Sequence, residues 1–118
     1  MKFSIAQDLG EIVKVTIDGA LNHVDISPPL DPFRQILGND AYKRIVLLDM
    51  GQSNYLDSLC IGWLLSANKR FRETGGQLVL HSLQPTASNV ITLLRLNSVF
   101  QVASDSEQAM QLVRGEVA

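Results

Sequence analysis

A chain of 118 residues, 46% hydrophobic and 19% charged, has the size and apolar content for one packed unit, so residues 1–118 are read as a single domain. Ten basic side chains against twelve acidic ones leave a formal net charge of -2. No basic stripe is available to neutralise phosphates, which excludes nucleic acid as an expected partner. No apolar run approaches a membrane span, the segment from Met1 to Asp8 lacks a signal-like apolar stretch, and Cys60 is the only cysteine; a cytoplasmic protein with no direct membrane insertion, no internal disulfide and no cysteine-based metal site is expected.

Phe3 to Ala6 and Ile12 to Ile17 read as two short strands around a turn at Asp8-Leu9-Gly10, with Val13, Val15 and Ile17 spaced for one strand face. Pro28, Pro29 and Pro32 end any earlier helix, while Phe33, Ile36 and Leu37 predict a helix of about two turns from near Leu30 to Gly38-Asn39-Asp40. Ile45-Val46-Leu47-Leu48 does not alternate, as expected of a central strand covered on both faces, and is placed at 43–49. After the polar loop Gly51-Gln52-Ser53-Asn54, a long helix is expected from Asp57 or Ser58 to Thr74, closing on Gly75-Gly76. Leu78-Val79-Leu80 is the next buried strand. Pro85 opens a helix carrying Val90, Leu93 and Leu94, and a short strand follows at 99–102. Ser104-Asp105-Ser106-Glu107 reads as a capping box before a terminal helix with Ala109, Leu112 and Val113. The order ββαβαβαβα predicts the α/β class: a mixed sheet of four to five strands with an opening antiparallel hairpin, covered by about four helices.

Three stretches together resemble the STAS domain family of anti-sigma-factor antagonists: Ile45-Val46-Leu47-Leu48-Asp49, Tyr55-Leu56-Asp57-Ser58-Leu59-Cys60-Ile61-Gly62, and Gly75-Gly76-Gln77-Leu78-Val79-Leu80. In that family a hydrophobic strand ends in Asp, a loop leads to Asp-Ser-Ser-Gly-hydrophobic-Gly, and a helix runs to Gly-Gly before the next strand. Ile91 to Phe100, Ser104 to Met110 and Gly19-Ala20-Leu21-Asn22 extend the similarity over nearly the whole chain. The resemblance implies a STAS-like fold and a non-catalytic module that binds an anti-sigma factor with serine kinase activity, or another signalling protein, through the start of the 57–74 helix. An accessory subunit of a membrane lipid or solute transport complex, holding an ATPase subunit by the same surface, is the alternative it leaves open. Aligned without a gap, Ser58 matches the family's first serine, but Leu59 stands at the second, the usual phosphate acceptor. Leucine has no hydroxyl, so a switch in which added phosphate repels the partner has no acceptor there. Ser58 is the alternative phosphoacceptor, displaced by about 100° around the helix.

Asp57, Ser58, Leu59, Gly62 and Trp63 form the expected partner-binding set. Asp57 also suits an N-cap, where its carboxylate would accept from the open amides of the first turn. Helical phase counted from Ile61 turns Cys60, Leu64, Leu65, Asn68 and Phe71 inward, and Leu59, Trp63, Ser66 and Arg70 outward. An exposed Leu59 and Trp63 one turn apart would make a small docking stripe; the other reading of Trp63 is core beneath a neighbouring loop. Gly62 costs about 1 kcal/mol against Ala in a helix interior, which predicts a close approach there by a partner or by another part of the fold.

Cys60 lies near a helix start but on the inward phase, as an inert core thiol would. His23 and His81 have no ligand-like spacing, and Gly75-Gly76 follows a helix instead of opening one. No cofactor, metal or catalytic set is expected, and any ATP belongs to a partner. The sequence carries no signal for oligomeric state.

Overall fold

The computed structural model describes residues 2–18, 31–53 and 58–114, and the side chains of Lys2 and Leu59 fall outside that description. Strands β1 (Lys2–Asp8) and β2 (Ile12–Asp18) form the expected antiparallel hairpin, with Phe3 opposite Ile17 and Ile5 opposite Val15. The Asp8 carboxylate closes the turn by accepting from the Gly10 N–H at 2.9 Å and from the Arg44 guanidinium. The first bond, then the second, holds its pKa below the ordinary carboxylate value. Strands β3 (Ile45–Gln52), β4 (Gln77–His81) and β5 (Gln101–Ala103) continue the sheet in parallel, in the spatial order β1-β2-β3-β4-β5.

Four helices stand among the described residues: α1 (Pro32–Leu37), α2 (Ser58–Thr74), α3 (Pro85–Leu93) and α4 (Ser106–Val113). The first three cover one face of the sheet, where Val15, Val46, Leu48 and Leu80 meet Phe33, Leu64, Phe71 and Ile91. α4 covers the other, setting Ala109 against Leu47, Val79 and Ala103. This two-sided cover explains the lack of alternation in β3 and β4. In β2 the alternation survives because Val13, Val15 and Ile17 are buried while Lys14 and Thr16 remain partly exposed.

Several boundaries differ from the sequence expectation for identifiable reasons. Lys43 belongs to a 3-10 turn, Ala41–Lys43, and β3 runs on through Gly51 and Gln52 because pairing of Asp18 with Gln52 keeps the chain extended. α1 starts at Pro32, with the Asp31 carboxylate accepting from the Arg34 N–H at 3.3 Å, so the fixed φ of proline sits at the first helical position; Leu30 is outside the described residues. A 3-10 turn at Leu96–Ser98 delays β5 to Gln101. α4 is capped one residue later than expected: Asp105 accepts from Gln108 N–H at 2.8 Å, and the Gln108 side chain accepts from Ser104 N–H at 2.6 Å. The pair Asp105 and Gln108 therefore does the work assigned to Ser104 and Glu107. Leu93 and Leu94 are 81% and 56% exposed. α3 instead buries Ala87 and Ile91, one turn apart, and ends before Arg95, whose φ of 57° turns the chain away. Leu112 is likewise exposed on α4.

Candidate partner-binding site

The sequence of α2 sets a one-sided helix. Cys60, Ile61, Leu64, Ala67, Asn68 and Phe71 are buried, and Ser58, Gly62, Ser66, Lys69 and Arg70 are exposed. At about 100° per residue the buried arc centres on Leu64, and the exposed stripe runs along Ser58, Gly62 and Ser66. Asn68, buried as expected, donates from Nδ2 to the Val99 carbonyl at 3.4 Å. Ser58 opens the helix and is exposed. Asp57 and the side chain of Leu59 lie outside the described residues, so their capping and surface roles stay with the proposal below.

Trp63 does not face solvent as the phase from Ile61 predicts. It is half-buried, stacked on Phe33 with ring centroids 5.4 Å apart and an interplanar angle of 10°, and set edge-on to Phe3 at 5.8 Å. The error is one of origin: Ile61 lies at the edge of the buried arc, and counted from Leu64 the indole is about 100° away, on the flank, where α1 and β1 reach it. Arg70 is engaged too. Its Nη1 lies 3.3 Å from the Asp31 carboxylate, and its guanidinium sits 5.1 Å from the Tyr42 ring centroid. The Tyr42 hydroxyl donates to both Asp31 oxygens at 2.9 Å, and burial followed by that carboxylate pushes the phenol up to about 12. At Gly62 a Cβ would meet nothing within 4 Å, so of the two expected sources of a close approach, a partner or another part of the fold, no part of the described fold supplies it.

A polar group missed in the sequence lies on the α4 side of the sheet. Asp49 and His81 are the last register partners in the pairing of β3 with β4, and His81 is buried with its Nδ1 2.8 Å from the Ser82 hydroxyl. Desolvation lowers the His81 pKa from 6.5, opposed by Asp49 and Asp105 and assisted by Lys14. The folded chain therefore takes up this proton at lower pH than the unfolded chain. Stability is expected to be constant above the ordinary histidine range. It should fall as pH drops below 6.5, by at most about 1.4 kcal/mol per pH unit, until the folded histidine protonates as well. Urea melts from pH 8 to pH 5 check this, with His81→Gln expected to flatten the slope. An unchanged slope in the variant would remove His81 as its source. A strand-closing Asp and His are visible in the sequence, but only the register brings them side by side.

Among the described residues no three His, Cys, Asp or Glu side chains are grouped to hold a metal, and no helix is long and apolar enough to cross a membrane. A concavity at the far end of α2, with Asn68, Arg72, Gln77, Ser98 and Gln101 among its lining, has no carboxylate, thiol or imidazole among the described residues.

A family model described as STAS domain matches residues 5–109. A Bordetella bronchiseptica protein, BtrV, described as a candidate anti-sigma factor antagonist, is 34% identical over 70 residues, covering 59% of this chain and 60% of that protein's own length. A crystal structure of a candidate anti-sigma factor antagonist from Thermotoga maritima superimposes with a TM-score of 0.79 at 20% identity, covering 95% of this chain and 92% of that one. The anti-sigma factor antagonist SpoIIAA in its unphosphorylated form superimposes with a TM-score of 0.68 at 21% identity, covering 98% and 99%. With the family model spanning nearly the whole length, over the five-stranded sheet and helices described above, this chain belongs to the STAS domain family.

Proposed function

We propose that this chain is a non-catalytic interaction module that docks an anti-sigma-factor-type serine kinase, or a signalling protein of that kind, through the start of α2, with no phosphoswitch at position 59. The observation that carries the reading is Gly62. It is exposed in the interior of a 17-residue helix, one turn from Ser58 on the same stripe, with nothing among the described residues within 4 Å of where its Cβ would be. A glycine there costs helix stability with no close contact among the described residues to require it, which supports a surface kept bare for the close approach of another protein. Resemblance to anti-sigma-factor antagonists supplies the class of partner, and Ser58, Leu59 and Asp57 are assigned to the same docking end. Trp63 contributes from beneath, by holding α2 against α1 and β1.

Gly62→Ala is expected to raise unfolding free energy by about 0.5–1 kcal/mol. It should also weaken binding to the partner captured by the parent chain by about tenfold, through overpacking of the contact. Opposite signs in a melt and a titration separate docking from damage to the fold; affinity equal to the parent's would sink the docking reading. An anti-sigma-factor serine kinase with ATP is expected to leave the parent unmodified and to phosphorylate Leu59→Ser. Stoichiometric phosphate on Ser58 of the parent, read by mass spectrometry, would overturn the absence of a switch.

A further inference from the structure

Three departures from local sequence preference meet where β3 runs on past its pairing with β4. Gln84 occupies the N-cap of α3, a position favouring Ser, Thr, Asp or Asn, and its side chain makes no cap bond. Its Nε2 instead donates to the Gly51 carbonyl at 2.6 Å, 33 positions back in the chain. Ser82, although not glycine, holds a left-handed φ of 59°, with its hydroxyl against His81 Nδ1. Gly51 is the third. Pairing of β3 with β4 stops at Asp49 and His81, and the Gly51 N–H donates to Asp49 Oδ1 at 2.8 Å. A Cβ on Gly51 would lie 3.1 Å from that oxygen and 3.6 Å from Ser82 Cβ. Both polar groups of one residue are thus held by side chains, in a niche too tight for alanine without displacing the acceptor. Local rules given up together at one place mark a tertiary demand that outweighs them.

We propose that Asp49 and Gln84 are positioning residues for the partner-binding end of α2. By holding the N–H and the carbonyl of Gly51 they set the direction in which the chain runs on from the β3–β4 pairing, and with it the placement of Ser58, seven positions further on. The inference rests on the reading of that end as the docking site. Just beyond the clamp Ser53 is buried and its N–H donates to the Met50 carbonyl at 3.1 Å. α3, which supplies Gln84, is anchored in the core by Ala87 and Ile91, so the clamp is referred to the body of the fold.

Amide exchange and NMR shifts of the full chain test this. Gln84→Glu keeps the shape but presents a carboxylate that cannot donate to the Gly51 carbonyl, whereas Asp49→Asn keeps an acceptor oxygen for the Gly51 N–H. In Gln84→Glu the Gly51 and Ser53 amides are expected to exchange about fivefold faster or more. The Ser58 to Ile61 amides should shift and loosen with them, while those of Lys69 to Phe71 stay at their parent positions. Asp49→Asn should match the parent. Should Gln84→Glu fail to fold, Gln84→Met removes the donor at similar length and is read the same way. Loosening at Gly51 with Ser58 to Ile61 unmoved overturns the proposal, as does a uniform change along all of α2. The docking reading fails separately. If the end of α2 moves in Gln84→Glu but Gly62→Ala binds the captured partner like the parent, positioning stands and docking falls. If Gly62→Ala weakens binding while Gln84→Glu leaves Ser58 to Ile61 in place, the reverse holds.

Discussion

Replacing Phe33 with alanine is expected to remove about 3–5 kcal/mol of unfolding free energy. Phe33 is fully buried on a helix of only six residues, yet its ring meets four others: Phe71 at 5.3 Å, Trp63 at 5.4 Å, Phe3 at 5.6 Å and Tyr42 at 6.3 Å. Each edge or stacked pair adds about 0.5–1.5 kcal/mol to the area term, and all are lost together. A short helix cannot re-form the cluster by sliding, because the Asp31 cap and the Gly38 N–H bond to the Arg34 carbonyl fix both ends. Urea melts measure the loss, with Leu93→Ala as the control: at 81% exposure it should change stability by no more than about 0.5 kcal/mol. A Phe33→Ala loss as small as the control's would mean that the aromatic cluster does not hold α1 and β1 to α2.

Gly76→Ala is expected to cost about 3 kcal/mol, a large effect for one methyl group. Gly75, with φ of 96°, reverses the chain at the end of α2, and the Gly76 N–H closes the turn on the Phe71 carbonyl at 2.8 Å. A Cβ on Gly76 would overlap the backbone carbonyl oxygens of Tyr42 and Arg44, far inside van der Waals contact. Neither can yield cheaply. The Arg44 carbonyl accepts from Gln77 N–H at 3.2 Å at the start of the β3–β4 pairing, and Tyr42 is packed against Phe33 and Phe71. Thermal melts of Gly76→Ala and Gly62→Ala should therefore move in opposite directions. A Gly76→Ala melt equal to the parent's would show that the 42–44 segment gives way easily.

Residue pattern alone determined the elements whose signal is local. Alternation in β2, unbroken apolar runs in β3 and β4, and Gly75-Gly76 after a long amphipathic stretch each reflect a backbone or burial demand met within a few residues, and each is found where expected. The family followed from the same stretches, because the Asp-Ser-Leu-Cys-Ile-Gly segment and its flanking strands keep their spacing. Tertiary structure alone decided the rest. Which side of α2 is buried depends on where α1 and β1 come to rest, and the phase moved by enough to take Trp63 off the surface and stack it on Phe33. Leu93 and Leu94 look like core by composition, but a left-handed Arg95 ends α3 and leaves both exposed. Asp49 beside His81, and Gln84 on Gly51, depend on strand register and on contacts across 32 and 33 positions of chain, which no local pattern encodes. Local preference specifies an element at the cost of a few dihedral angles. The burial that chooses its face, and the register that gathers its polar ends, are set only once distant segments share one core.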